Sequence, residues 1–229
     1  MQTEEPVVSR TILLKGMALT LLCLFAGLLP WSRIFSVPAN DTNYKALFFL
    51  LSRIIFWLAL GITYLYVKKE EKQNFLLWKE QEFSFGIYVA FFFVTIGTII
   101  IGLLFIALTL KLLHLLSASA KLQEIILLFR DHKILMVFTA LTAGVIEELL
   151  FRGYMMPRLE LLYKNKYITI GISSLLFGLL HIGYGTLINI IGPFFIGLIF
   201  AIHYYKFRNI KILIFIHFTW DLMALVLRS

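Results

Sequence analysis

Three charged residues, Glu147, Glu148 and Arg152, lie inside a long apolar segment of the 229-residue chain. A charged group inside a membrane span is costly and usually marks function. On a helix, Glu148 and Arg152 are four residues apart and share a face, so they can form an ion pair. Glu147 points about 100° away from that face. The spacing therefore predicts a supporting pair and a separate, chemically available carboxylate.

Two histidines lie in later apolar segments, each in a four-residue spacing. His181 follows Phe177, which we expect to orient its ring, and His217 precedes Asp221. With a helical rise of 1.5 Å per residue, Glu147, His181 and His217 lie about 15, 21 and 12 Å from the polar ends of their segments. Three helices thus bring one acid and two imidazoles to a similar depth.

One carboxylate and two imidazoles at a similar depth can hydrolyse an amide in two ways. A carboxylate takes a proton from water, and an imidazole passes it to the leaving amine while a second imidazole stabilises the oxyanion. Alternatively, Glu147, His181, His217 and Asp221 are candidate ligands for zinc. We favour the version without a cofactor, because the chain has no HExxH motif and a glutamate bound to zinc is no longer a free base.

The composition indicates a membrane protein. Hydrophobic residues make up 60% of the chain and charged residues 15%, whereas a soluble domain has about a quarter charged residues. The net charge of +8 comes from basic residues at the ends of apolar segments, which fits membrane topology and not nucleic-acid binding. The single cysteine, Cys23, excludes an internal disulfide framework.

The predicted fold class is all-α, a polytopic transmembrane helix bundle of about seven to eight membrane helices. A span needs about 20 mostly apolar residues. The eighth helix, Ser117–Arg130, is amphipathic and is predicted to lie flat at the interface. The third span is long enough to tilt or to contain a break near Gly97 and Gly102. The predicted spans are Ile12–Trp31, Ala46–Val67, Phe85–Leu110, Ile134–Met156, Ile168–Ile182, Leu187–Tyr205 and Ile210–Leu227.

The distribution of lysine and arginine favours a cytoplasmic N-terminus. In that orientation Arg158 and Lys164 lie in a cytoplasmic segment. The first span shows no cleavage site and is read as a retained helix. Arg53 is the exception inside a span; it pairs with another helix or extends to the interface, with a functional role as the minor alternative. We divide the chain into scaffold helices (residues 1–130) and a catalytic core (residues 131–229).

Three short motifs, in order, resemble a known family. The segment from Glu147 to Gly153 matches EExxxR in its EExxFRG form, Phe177 to His181 matches FxxxH, and His217 to Asp221 matches HxxxN/D. Phe194 to Leu198 is similar to the family's glycine-containing sixth span. This is the pattern of the CPBP (ABI) intramembrane proteases, which include type II CAAX prenyl endopeptidases and proteins tied to bacteriocin self-immunity. The resemblance covers about Ile134 to Leu227.

The resemblance implies a role for each motif residue. Glu147 would activate water with help from His181, and His217 and Asp221 would form the oxyanion site. Glu148 and Arg152 would be the supporting pair.

Asp221 stands where the family often has asparagine. An ionised aspartate cannot donate a hydrogen bond to an oxyanion. Asp221 is therefore protonated by burial, or orients His217, or helps to bind a metal.

The predicted function is an intramembrane endopeptidase for a membrane-associated or lipidated peptide or protein. The best-understood relatives trim three residues from a prenylated C-terminus. The small size of the chain suggests a prokaryotic source and hence the plasma membrane. There, peptide pheromones, bacteriocins and membrane proteins are the other possible substrates. The expected partners are this substrate and the bilayer, with the site near mid-membrane on the cytoplasmic side; no oligomeric state is indicated. The alternatives are a non-catalytic binding or self-immunity protein and a transporter with a proton relay.

Overall fold

The computed structural model describes residues 8–29 and 41–229, and the regular structure in these residues is all helical. Six of the described helices are long and apolar enough to cross a membrane. The predicted class, a polytopic transmembrane helix bundle, is confirmed. The chain is an integral membrane protein.

Nine α-helices, in chain order, form the described bundle. A π-helical segment, Ala143–Met155, joins α5 to α6, so that Lys133–Tyr163 is one continuous span. Val67–Glu71 extends α2 by a π-helical turn, and a 3-10 turn, Ile182–Tyr184, follows α7. The helices are α1 (Arg10–Leu28), α2 (Thr42–Tyr66), α3 (Phe85–Leu112), α4 (Ala120–Asp131), α5 (Lys133–Thr142), α6 (Met156–Tyr163), α7 (Lys166–Leu179), α8 (Ile188–Phe207) and α9 (Ile210–Val226).

The predicted spans differ from the observed helices mainly at their ends. The third span, α3, runs unbroken past Gly97 and Gly102. The predicted eighth helix is α4, and the predicted seventh span is α9, which has 17 residues and is not among the six helices of spanning length. The end of the first predicted span, at Trp31, lies outside the described residues.

Two glycines allow the helices that carry the site to approach one another closely. A Cβ atom on Gly144 would lie 2.9 Å from the backbone nitrogen of Phe218, and one on Gly178 would lie 2.8 Å from the Cβ atom of Phe194. Small residues at such crossings let membrane helices pack backbone to backbone. Gly144 therefore brings the π-helical segment against α9, and Gly178 brings α7 against α8.

One end of the bundle is held by buried polar contacts. The Glu80 carboxylate accepts a hydrogen bond of 2.5 Å from the backbone N–H of Ile210, where the N-terminus of α9 attracts negative charge. Arg158 pairs with Glu71 at 2.6 Å, and both side chains are fully buried. Arg158, predicted to lie in a cytoplasmic segment, thus also joins the ends of two spans through its guanidinium.

Candidate active site

The two glutamates lie on the π-helical segment and not on an α-helix as the sequence analysis assumed. This segment covers 13 residues, whereas π-helix in proteins is mostly a single turn and is frequent at functional sites. Its wider turns still place Glu148 and Arg152 four residues apart on one face. No sequence pattern signals this conformation.

Glu148 connects two of the predicted site residues. Its Oε1 atom accepts a hydrogen bond of 2.9 Å from Nη1 of Arg152 and one of 2.8 Å from Nδ1 of His217. The side chains of Glu148 and Arg152 are fully buried, and that of His217 is 4% exposed. The predicted ion pair is thus present, and it also fixes the imidazole of α9, a contact that the sequence analysis did not include.

Arg152 is held on three sides. Its Nη2 atom donates a hydrogen bond of 3.1 Å to the carbonyl of Gly197 on α8. Its guanidinium lies 4.4 Å from the ring centroid of Phe177 on α7 and 5.5 Å from that of Phe200. A buried guanidinium with these partners fixes the relative positions of α7, α8 and the π-helical segment.

His217 presents its second nitrogen to two carboxylates. Because the carboxylate of Glu148 accepts a hydrogen bond from Nδ1, that nitrogen carries the ring hydrogen. Nε2 is then free to interact with a substrate or water. Nε2 lies 4.0 Å from Oε2 of Glu147 and 3.6 Å from Oδ2 of Asp221. Both distances exceed a direct hydrogen bond. The side chains of Glu147 and Asp221 are 19% and 31% exposed, so both remain accessible from the open side of the site.

His181 lies just beyond the end of α7, within the candidate span Lys166–Tyr184, as predicted. Its backbone N–H donates a hydrogen bond to the carbonyl of Gly178, and its Nδ1 atom forms a hydrogen bond of 2.9 Å with the carbonyl of Phe177. The ring therefore replaces the backbone hydrogen bond that would continue the helix. A carbonyl only accepts, so Nδ1 donates and Nε2 is the free nitrogen.

The ring of Phe177 contacts both histidines. Its ring centroid is 5.3 Å from that of His181 and 5.9 Å from that of His217. Phe177 therefore positions His181 through its carbonyl and packs its ring against both imidazoles. The structure brings Glu147, His217 and Asp221 into one group and connects His181 to it through Phe177.

One further residue contacts His181: the Tyr184 ring stacks on it with centroids 6.0 Å apart. Arg53, the charge inside the second span, bonds to Ser52 at 3.2 Å and packs against the rings of Phe49 and Phe56. Nothing in the sequence singled out Tyr184, because a tyrosine near a membrane interface is common.

The described residues contain no set of three histidine, cysteine, aspartate or glutamate side chains placed to hold a metal ion. Of the four candidate ligands, Glu147, His217 and Asp221 face one another, and His181 packs against Phe177 and Tyr184. As placed, the donor set does not fit zinc. Whether the protein needs a cofactor stays a prediction.

Comparison with known proteins supports the resemblance seen in the motifs. Residues 130–223 match the model of the family described as "Type II CAAX prenyl endopeptidase Rce1-like". Neither a curated protein nor a solved structure matches the chain. The matched segment contains Glu147, Glu148, Arg152 and the candidate site residues His181, His217 and Asp221. This part of the chain is therefore similar to the Rce1-like family of type II CAAX prenyl endopeptidases.

Proposed function

We propose that the protein is an intramembrane endopeptidase in which Glu147 activates the water that cleaves the peptide bond. One observation carries the proposal: the Glu147 carboxylate lies 4.0 Å from Nε2 of His217, whose other nitrogen is held by the buried Glu148–Arg152 pair. A polar gap of this length suits a bridging water. A positioned base, a water and an oriented imidazole are the components of general-base hydrolysis.

The proposed reaction proceeds in two steps. Glu147 takes a proton from water, whose oxygen attacks the carbonyl carbon of the substrate. The oxyanion accepts hydrogen bonds from Nε2–H of a protonated His217 and from Asp221 in its neutral form. The C–N bond then breaks, and the proton passes from Glu147 to the leaving amine, with Nε2 of His181 assisting at the edge of the site.

The buried pair supports this chemistry by positioning His217. Because Glu148 bonds to both Arg152 and His217, the imidazole has one orientation, with Nδ1–H directed at Glu148. A partner on the far nitrogen of a histidine commonly fixes the near nitrogen for catalysis. Glu148 and Arg152 therefore act through His217 and do not touch the substrate.

The substrate class is a membrane-associated or lipidated peptide or protein, since the reacting groups lie within helices long enough to span a bilayer. The most informative experiment compares membrane peptidomes of cells that express the wild-type chain or Glu147→Gln. Glu124→Gln is the matched control, because it changes a half-exposed glutamate that pairs with Lys45 outside this group. The proposal requires fragments that appear with the wild type and the control and are missing with Glu147→Gln.

Two rival functions give different results in the same experiment. A non-catalytic self-immunity protein would protect cells equally well with Glu147→Gln and would leave the peptidome unchanged. A transporter would show proton flux coupled to its substrate and no new peptide ends. Either result would replace the proposed activity.

A further inference from the structure

The short 3-10 turn Ile182–Tyr184 follows His181 directly. The backbone N–H of Tyr184 donates a hydrogen bond of 3.1 Å to the carbonyl of His181, and that of Gly185 donates one of 3.0 Å to the carbonyl of Ile182. Gly185 has a φ of 75°, a conformation that glycine adopts readily. The turn is therefore tight, and its position determines what packs against the His181 ring.

The His181 ring is held by two kinds of contact. Its Nδ1 atom bonds to the carbonyl of Phe177 at 2.9 Å. The ring also stacks on that of Tyr184, with centroids 6.0 Å apart and planes inclined by 22°. The first contact is made within the chain segment of α7, whereas the second requires the 3-10 turn to stay in place.

Ser119 fixes this turn from a distant part of the chain. Its Oγ atom donates a hydrogen bond of 2.7 Å to the carbonyl of Tyr184 and accepts one of 3.1 Å from the backbone N–H of Leu122. The second bond makes Ser119 the N-cap of α4. Ser119 is 6% exposed, and a hydroxyl has a single hydrogen to donate. That hydrogen is directed to the turn.

Helix α4 is a firm support for this contact. Glu124 pairs with Lys45 on α2 at 3.0 Å, and Phe129 is fully buried. Lys121, in the first turn of α4, places its ammonium 5.7 Å from the ring centroid of Tyr184, within the range of a cation–π contact. The start of α4 therefore contacts both the backbone and the ring of Tyr184.

We propose that Ser119 is a positioning residue, which holds the 3-10 turn so that Tyr184 keeps the His181 ring in one orientation. This inference rests on the proposed endopeptidase function, in which Nε2 of His181 assists proton transfer. Ser119 acts through Tyr184 and does not touch the substrate. The net contribution of one neutral hydrogen bond corresponds to a change in rate of about two- to tenfold when the bond is lost.

Two substitutions of Ser119 separate positioning from helix capping. Aspartate caps a helix as well as serine does, and the N-terminus of α4 favours its ionised form. An ionised carboxylate has no hydrogen to donate to the Tyr184 carbonyl, whereas threonine keeps the hydroxyl. We expect Ser119→Asp to lower kcat about two- to tenfold and to leave KM nearly unchanged, and Ser119→Thr to remain close to the wild type.

The kinetic assay follows cleavage of a fluorescent farnesylated peptide that ends in cysteine and three apolar residues, with the full chain in nanodiscs of a zwitterionic lipid. Ser9→Ala is the matched control, because Ser9 is also an N-cap serine but bonds to Ile12 at the start of α1. It should leave kcat unchanged. A change in KM alone for Ser119→Asp, or a kcat equal to that of the control, would overturn the inference.

Tyr184 supplies an independent variant. Tyr184→Leu removes the stacked ring and should lower kcat to the same extent as Ser119→Asp, whereas Tyr184→Phe keeps the ring and should not. The double variant Ser119→Asp, Tyr184→Leu should lose little more than either single variant, because both substitutions remove one shared contact. Losses that multiply in the double variant would contradict the proposed connection.

Nitrogen NMR of protein labelled with ¹⁵N-histidine observes the His181 ring without any substrate. His181→Gln identifies its signals by their loss. The wild type and Ser119→Thr should show one sharp pair of ring signals, and Ser119→Asp should show broadened or doubled ones. Unchanged His181 signals in Ser119→Asp would overturn the inference.

Failure of the inference and failure of the proposed function are distinguishable. A wild-type protein that cleaves the peptide, with kcat and His181 signals that do not depend on Ser119, would contradict the positioning role and leave the endopeptidase intact. A protein whose His181 signals depend on Ser119 but that cleaves no peptide would contradict the endopeptidase and leave the contact between Ser119, Tyr184 and His181.

Discussion

Replacing Arg152 by methionine tests the buried pair that orients His217. The substitution keeps an unbranched apolar stem and removes the guanidinium. It deletes a 2.9 Å bond to Glu148 and a 3.1 Å bond to the Gly197 carbonyl. Each bond to a charged group contributes about 1.5–3 kcal/mol, and breaking a buried pair costs about 3–5 kcal/mol. We therefore expect Arg152→Met to lower the free energy of unfolding by about 3–5 kcal/mol.

A double-mutant cycle separates the stranded charge from lost packing. Glu148→Gln removes the charge but keeps an oxygen that accepts from His217. If the isolated carboxylate causes the loss, the double variant should be more stable than the sum of the two single losses predicts, by about 1–3 kcal/mol.

Unfolding with denaturing detergent, followed by circular dichroism, measures the four free energies. The control is Lys206→Met, which removes an exposed cation on α8 and should change stability by less than about 0.5 kcal/mol. An Arg152→Met protein as stable as the control, or a cycle whose losses simply add, would refute the pairing argument.

Three further predictions concern the chemistry and the topology. Asp221→Asn should keep much of the activity, measured as peptide cleavage in detergent, because an amide also donates to an oxyanion; an inactive variant would contradict this. Exhaustive chelation should leave the rate unchanged, whereas loss restored by added zinc would establish a metal enzyme. Lys164→Cys, in a Cys23→Ala background, should resist an impermeant thiol reagent in intact cells, because the exposed turn after α6 is predicted to face the cytoplasm; ready labelling would invert the topology.

The membrane bundle and the motif pairs were predictable because their signals are local. Apolar length identifies a span, and a four-residue spacing on a helix makes the Glu148–Arg152 pair almost independent of the rest of the fold. The predicted amphipathic eighth helix is likewise present as α4.

The finer geometry depends on contacts between distant segments. The Glu148–His217 bond requires the close crossing at Gly144, which no spacing in the sequence specifies. His181 lies outside α7 because its ring forms a hydrogen bond with the carbonyl of Phe177, which would otherwise accept the next backbone hydrogen bond of the helix. In the sequence Arg158 looks like an ordinary charged residue of a loop, and nothing there indicates that it is buried against Glu71.

The division at residue 130 and the roles of the site residues stay predictions. The family match begins at this boundary, but the structure shows α1 and α2 packed into the same core as the π-helical segment. Trp57 on α2 donates a hydrogen bond of 3.1 Å to Thr142, directly before the π-helical segment. We therefore expect the first helices to affect the geometry of the site as well as to form the scaffold.

The central claim is that Glu147 is the base that activates water. The most direct measurement is the single-turnover cleavage rate of a membrane peptide by purified protein in nanodiscs, with product masses determined for wild type and Glu147→Gln. Loss of a general base costs about two to four orders of magnitude in rate. The account predicts that the wild type yields a new C-terminal acid and that Glu147→Gln, equally well folded, is slower by this factor. Equal rates for the two proteins would contradict it.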